Sequence, residues 1–115
     1  MTVCNIKTDA DVAYEICGKY FEKKSFDAII VESDIAAEGV YKKVKKLGRT
    51  IGKDISIIAL GGQSVQGLTP TIATFYVNYM KIGKLAAECL YDLVRGNKVS
   101  KVNYIESVFI DGQSL

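Results

Sequence analysis

The order of apolar runs along the chain is the feature that most constrains its fold. Two runs, Ala28–Val31 and residues 55–60, lack the polar alternation of a strand with one wet face, as is typical of a parallel strand covered on both faces. Helical spacing appears over residues 9–23, from Asp34 to a glycine at 48, and over residues 82–93. Further strands are predicted at residues 3–6, 71–77 and 104–111. This alternation predicts one α/β domain over residues 1–115, with a three-layer, mostly parallel sheet and helices on both faces.

The composition indicates a globular domain without metal or histidine chemistry. The 115 residues are 49% hydrophobic and 24% charged, which is enough to bury a core. There is no histidine, and three cysteines at positions 4, 17 and 89 form no CxxC pair. The usual zinc sites and histidine-activated nucleophiles are therefore excluded, and free thiols in a reducing compartment are favoured. A net charge of +2 does not by itself indicate nucleic-acid binding. No apolar run approaches the ~20 residues of a membrane span, and we expect a cytoplasmic protein or part of a longer one.

Polar and glycine residues follow the two apolar runs, at the edge where open parallel sheets bind ligands. Ser33 and Asp34 follow the first run, and Gly61, Gly62 and Gln63 follow the second. Ser33 or Asp34 can cap the next helix by accepting hydrogen bonds from its free N–H groups, and the same edge can also line a ligand cleft. Both interpretations stay open. Because the GK[ST] and GxGxxG patterns are absent, the two glycines favour a turn with positive φ over a phosphate loop.

Other constellations offer little chemistry. Four lysines flank Val44, which favours a solvated helix face over a DNA contact. No set of nucleophile, base and orienting group is present, so catalysis, a metal site and a cofactor are not expected. A response-regulator receiver domain would need an acidic pair after its first strand, where Asn5, Ile6 and Lys7 stand instead.

An ordered series of motifs resembles the effector domain of LacI/GalR-type transcriptional regulators. The family pattern "P-x-A-I-x-x-x-N-D-x-x-A-x-G" is similar to residues 26–39, and "D-I-S-V-x-G-x-D" to residues 54–61. The helix from Ile82-Gly83 through Leu93, with Arg95-Gly96 after it, resembles the family's "G-x-x-A-x-x-L-L-x-x-I-x-G". The resemblance runs from residue 9 to the end of the chain. It implies one lobe of a periplasmic-binding-protein-like (type I) fold, the C-terminal lobe, with the DNA-binding domain and the N-terminal lobe outside this chain.

The resemblance also implies functional positions, with clear departures from the family pattern. The family's effector-contacting asparagine becomes Ser33, its strand-end aspartate becomes Gly61 or Gly62, and a polar crossover residue becomes Val77. Gln63 and Ser64 could replace the lost contacts. The implied ligand-binding residues are Ser33, Asp34, Gly61, Gly62, Gln63 and Val77. The implied dimer-interface residues are Ala36, Glu38, Val40, Tyr41, Ser64 and Leu68.

The resemblance therefore predicts the effector-sensing and dimerisation part of a bacterial repressor. Its expected partners are a sugar or phosphosugar effector, a second copy in a homodimer, and operator DNA through a separate N-terminal domain, without a membrane. Half of a periplasmic sugar-binding protein of a transport system is the alternative, and a stand-alone α/β interaction module is a third hypothesis. A single lobe should bind sugar poorly, because contacts from one wall must offset the loss of ligand freedom.

Overall fold

Three helices and four strands follow one another in a computed structural model that describes residues 8–62 and 67–115. In chain order they are α1 (Ala10–Phe21), β1 (Ala28–Val31), α2 (Asp34–Lys46), β2 (Ser56–Gly61), β3 (Ala73–Tyr76), α3 (Tyr79–Val94) and β4 (Val108–Ile110). The seven elements predicted within the described residues are all present as the predicted type, with bounds shifted by up to four residues. The strand predicted at residues 3–6 lies outside the described residues.

The strands form one mostly parallel sheet in the order β1-β2-β3-β4. β1 pairs with β2 and β2 with β3 in parallel, whereas β4 runs antiparallel to β3. The mostly parallel α/β sheet predicted from the sequence is confirmed. Because β1, β2 and β3 run in the same direction, their carboxyl ends meet at one edge, where Val31, Gly61 and Tyr76 are the last strand residues.

Two helices pack together on the sheet and close the core. α2 lies over β1 and β2, and α1 packs along α2 at close range. Gly39 makes this approach possible, since a Cβ at that position would lie 1.9 Å from the backbone oxygen of Ala10. The buried side chains include Val44 of α2 and Ile57 of β2, neither of which is exposed to solvent. This apolar cluster is the core of the described part of the chain.

The opposite face of the sheet carries no helix in the described part of the chain, contrary to the predicted cover on both faces. Ile30 is 74% exposed there, and Leu60 and Phe75 are also exposed. The reason is the path of α3, which begins two residues after β3 and approaches none of the other helices or strands described. Together, α3 and residues 95–107 form an outer arm that extends the molecule to 58 × 25 × 23 Å. The arm returns to the sheet through β4.

The last residues of the chain fasten the amino ends of β2 and β3. The Ser114 side chain is fully buried, where its Oγ accepts a hydrogen bond from Ala73 N at 2.8 Å and donates one to Ile57 O at 2.6 Å. Ile57 N also donates to Ser114 O at 2.9 Å. The buried hydroxyl is therefore satisfied both as a donor and as an acceptor, and it joins the two strand ends. Nothing in the sequence pattern marked this residue.

Candidate ligand-binding edge of the sheet

Ser33 and Asp34 have different tasks at the start of α2. Ser33 is the N-cap, with extended backbone (φ −148°, ψ 152°) and an Oγ that accepts a hydrogen bond from Ala36 N at 3.2 Å. Asp34 is the first helical residue and is only 7% exposed. Its Oδ1 accepts a hydrogen bond from Gly62 N at 3.0 Å. Asp34 therefore ties the end of β2 to the start of α2, and Ser33 caps the helix.

Gly61 and Gly62, here called the glycine corner, are held between two side chains. Both have positive φ, 133° and 78°, which confirms the predicted turn conformation. A Cβ on Gly61 would lie 2.8 Å from Oδ2 of Asp34. A Cβ on Gly62 would lie 2.8 Å from Cα and 3.0 Å from Cδ2 of Tyr76. Glycine is required here because Asp34 and Tyr76 already occupy the space of the missing side chains.

Val77 and Asn78 continue the same edge beyond β3. Val77 N donates to Gly61 O at 3.3 Å, so this half-buried residue stands beside the glycine corner. Asn78 caps α3, and its side-chain oxygen accepts a hydrogen bond from Lys81 N at 2.9 Å. The described candidate residues at positions 33, 34, 61, 62 and 77 thus belong to one continuous edge. The predicted Gln63 lies outside the described residues.

Tyr76 also belongs to this edge, although it is not among the ligand-binding residues that the resemblance implies. It pairs with Gly61 across the sheet and packs against Gly62, and its side chain remains partly exposed. The Gly61-Gly62 pair could have signalled it, because two glycines at a strand end indicate that another group approaches the backbone closely.

The structure corrects half of the predicted dimer interface. Ala36, Val40 and Tyr41 are 1%, 3% and 6% exposed, so their side chains belong to the core of this chain and offer no surface to a partner. The Tyr41 hydroxyl donates to Thr69 O, which fastens α2 to the loop before β3. These residues lie on the inner stripe of α2, which faces the sheet and α1.

Two of the predicted interface residues do reach the surface. Glu38 is partly exposed and forms an ion pair with Lys42, in which Oε1 and Nζ are 2.6 Å apart. Leu68 is half-buried and packs against the edge of the core. Ser64 lies outside the described residues. Among the described residues, Glu38 on the outer stripe of α2 and Leu68 in the loop before β3 are the implied interface residues that reach the surface.

The basic side chains of α2 are engaged within the chain. Lys43 Nζ lies 4.4 Å from the ring centroid of Tyr14, and Lys46 Nζ lies 5.7 Å from it. A hydrogen bond to Tyr14 raises the pKa of Lys46, and one to Glu38 raises that of Lys42. These contacts favour the solvated-face interpretation, since the lysines serve the α1–α2 pair and the negative end of the α2 dipole.

The thiols and carboxylates of the described residues form no reactive centre. Burial raises the pKa of Cys17 to about 11, with the positive charge of Lys43 opposing it, so this thiol is unreactive at neutral pH. No group of three or more histidine, cysteine, aspartate or glutamate residues in residues 8–62 and 67–115 could hold a metal ion. Within the same ranges, no helix is long and apolar enough to cross a membrane.

The outer arm carries a second concave surface, away from the edge. It is a groove of about 470 Å³ between α3 and the segment that leads back to β4. Its lining is mostly apolar and consists of Ile82, Leu85, Ala86, Cys89, Asn103 and Ile105. No residue of α3 is buried, so the apolar stripe that defines this helix has no cover in the described part of the chain.

Comparison with known proteins identifies the family of this chain. Residues 5–115 match the periplasmic binding protein-like domain family, and the chain belongs to that family. Its relatives are repressors of the LacI type, which confirms the resemblance found in the motifs. The chain is 33% identical over 76 residues to a lactose operon repressor of Rhizobium radiobacter, covering 65% of this chain and 67% of the relative. It is 29% identical over 80 residues to a ribose operon repressor of Lactococcus lactis subsp. lactis, covering 69% of this chain and 24% of that relative.

Solved structures confirm the periplasmic-binding-protein-like fold. A lac repressor crystal structure superposes with a TM-score of 0.88 at 17% identity over 95% of this chain, and this chain covers 34% of its length. A LacI family regulator of Arthrobacter sp. FB24, in complex with lactose, superposes with a TM-score of 0.80 at 23% identity over 92% of this chain and 41% of its own. The chain thus spans about a third to two-fifths of these structures.

Proposed function

We infer that this chain is the C-terminal lobe of the effector-sensing domain of a LacI-type transcriptional repressor. It contributes one wall of a sugar-binding cleft and a dimerisation surface, and a DNA-binding domain and a second lobe complete the protein. It acts by binding, without catalysis, in the cytoplasm. The similarity to sugar-operon repressors supports this proposal over a transport protein.

The outer arm is the observation that carries the proposal. Its helix is amphipathic, yet residues such as Leu90 and Leu93 are exposed. No described residue of the sheet lines the groove beside it. Helices of this kind are stabilised by burying their apolar stripe. The superposition on repressor structures covers 91–97% of this chain, arm included, whereas those structures are about two and a half times as long. We propose that the arm packs on the second lobe and joins the two.

The position of the arm explains how a ligand would act on such a protein. The arm leaves the sheet at the carboxyl end of β3, beside the glycine corner, and Asn78 marks the start of its helix. A ligand at this edge contacts the base of the arm and the start of α2 at once. We expect the ligand to make different contacts when the two lobes are open and when they are closed. Binding then shifts the populations of these two states and so changes the angle between the lobes.

Dimerisation is assigned to the outer stripe of α2 and the loop before β3. Glu38 and Leu68 remain as surface residues of the implied interface, and the Glu38–Lys42 pair gives it a polar rim. The dimeric state of a lac repressor structure with similar fold supports this assignment. Operator DNA would be bound outside the present residues.

The proposal is tested by extending the coding sequence upstream of the Met1 codon and purifying the longer protein. A helix-turn-helix before a second lobe is expected, and a signal peptide would favour the transport alternative. Lactose and D-ribose at about 10 mM should raise the Tm of the longer protein by several degrees through linkage, and that of the 115-residue chain by much less. Ser33→Ala in the longer protein should reduce the Tm shift, while Lys84→Ala on the exposed face of α3 should not. An upstream sequence that encodes neither kind of segment would contradict both functions.

A further inference from the structure

The end of β2 presents no side chain of its own at the candidate cleft. The family pattern places an aspartate at position 61, whereas this chain has Gly61 with the Asp34 carboxylate in the space where a side chain would begin. That carboxylate accepts a hydrogen bond from Gly62 N and is buried. It therefore serves the backbone of the corner and is largely shielded from solvent.

The neighbouring strand fills the space beside Gly62 with an aromatic ring. The Cδ2 edge of Tyr76 lies 3.0 Å from the point where a Cβ of Gly62 would stand, and the Tyr76 side chain remains partly exposed. Val77 follows as an apolar neighbour hydrogen-bonded to Gly61. The Asn78 oxygen is used by Lys81 N, so its NH2 group is the part left to donate.

We propose that Tyr76 determines effector specificity as a stacking surface for a sugar ring. This assignment rests on the sugar-sensing function proposed above. The effector's C–H face packs on the tyrosine ring, and its ring or glycosidic oxygens accept hydrogen bonds from donors along the edge. Aromatic rings recognise such faces through burial of apolar area with few conformational losses. Recognition from this wall depends on the flat face of the sugar. The tyrosine ring can lie at the edge because Gly62 has no side chain in the space that the ring occupies.

The test is an NMR titration of the ¹⁵N-labelled 115-residue chain with lactose and with D-ribose, up to about 100 mM because a single wall binds weakly. Amide shifts should change at Gly61, Gly62 and Val77. Tyr76→Leu keeps an apolar side chain against the corner but removes the flat ring, and should raise Kd about threefold to tenfold. Tyr76→Phe keeps the ring and should stay within about twofold of the wild type.

The controls separate this assignment from the proposed function. Tyr104→Leu changes a tyrosine that is 93% exposed on the outer arm, and its titration should match the wild type. A wild-type titration that moves amides near Ser33, together with an unchanged Kd for Tyr76→Leu, would remove Tyr76 and leave the sugar-sensing function standing. The absence of any amide shift with both sugars would overturn the stacking surface and the sugar class together.

Discussion

Removing the Asp34 carboxylate tests whether the glycine corner depends on that side chain. Its Oδ1 accepts a hydrogen bond from Gly62 N at 3.0 Å, and both residues are buried. A hydrogen bond to a charged group contributes about 1.5–3 kcal/mol, and an orphaned buried N–H costs about 1–3 kcal/mol. The carboxylate also favours the positive end of α2 by about 0.3–1 kcal/mol. Since these contributions overlap, Asp34→Ala should lower the free energy of unfolding by about 3 kcal/mol.

Urea unfolding at pH 7, followed by circular dichroism, measures this change from the midpoint and slope. Asp34→Asn keeps an acceptor oxygen and should cost about 1 kcal/mol. Ser33→Ala removes only the cap and should also cost about 1 kcal/mol. Amide exchange at Gly62 should accelerate in Asp34→Ala and remain near wild type in Ser33→Ala. A stability loss below about 1 kcal/mol in Asp34→Ala, with the Gly62 amide still protected from exchange, would refute the dependence of the glycine corner on the Asp34 carboxylate.

Three further results are expected. Ser114→Ala should cost about 2–3 kcal/mol in urea unfolding because two buried hydrogen bonds are lost, and a change under 0.5 kcal/mol would contradict its role. Site-resolved alkylation at pH 8 should modify partly exposed Cys89 well before Cys17, whose pKa is about 11, and equal rates would contradict the burial of Cys17. The backbone hydrogen bond from Thr50 lowers the pKa of Asp54 below 3.8. The ionised Asp54 side chain therefore stabilises the fold above pH 3.8, and this stabilisation is lost as the pH falls through the lower pKa of the folded state. The free energies of unfolding of wild type and Asp54→Asn should converge at the acid end of a pH series.

The type and order of the elements within the described residues were determined by the sequence itself. Apolar periodicity is a local property, so the runs at residues 28–31 and 55–60 could be recognised without knowledge of their partners. The end of α2 was also predictable, because Gly48 adopts a positive φ of 73° that other residues rarely take. The ordered motifs were sufficient to indicate the family, since a series of spaced residues survives where overall identity is low.

Tertiary structure alone decided what the polar and glycine residues do. Sequence left open whether Ser33 or Asp34 caps α2, because both side chains can accept the same N–H groups; the choice follows from Gly62, which lies 28 positions after Asp34 and takes its Oδ1. Separation in sequence also hid the packing of Tyr76 on Gly62 and the burial of Ser114 between strands. The path of α3 away from the sheet could not be predicted from periodicity either. Periodicity shows that a helix has an apolar stripe, but it does not show which surface that stripe covers.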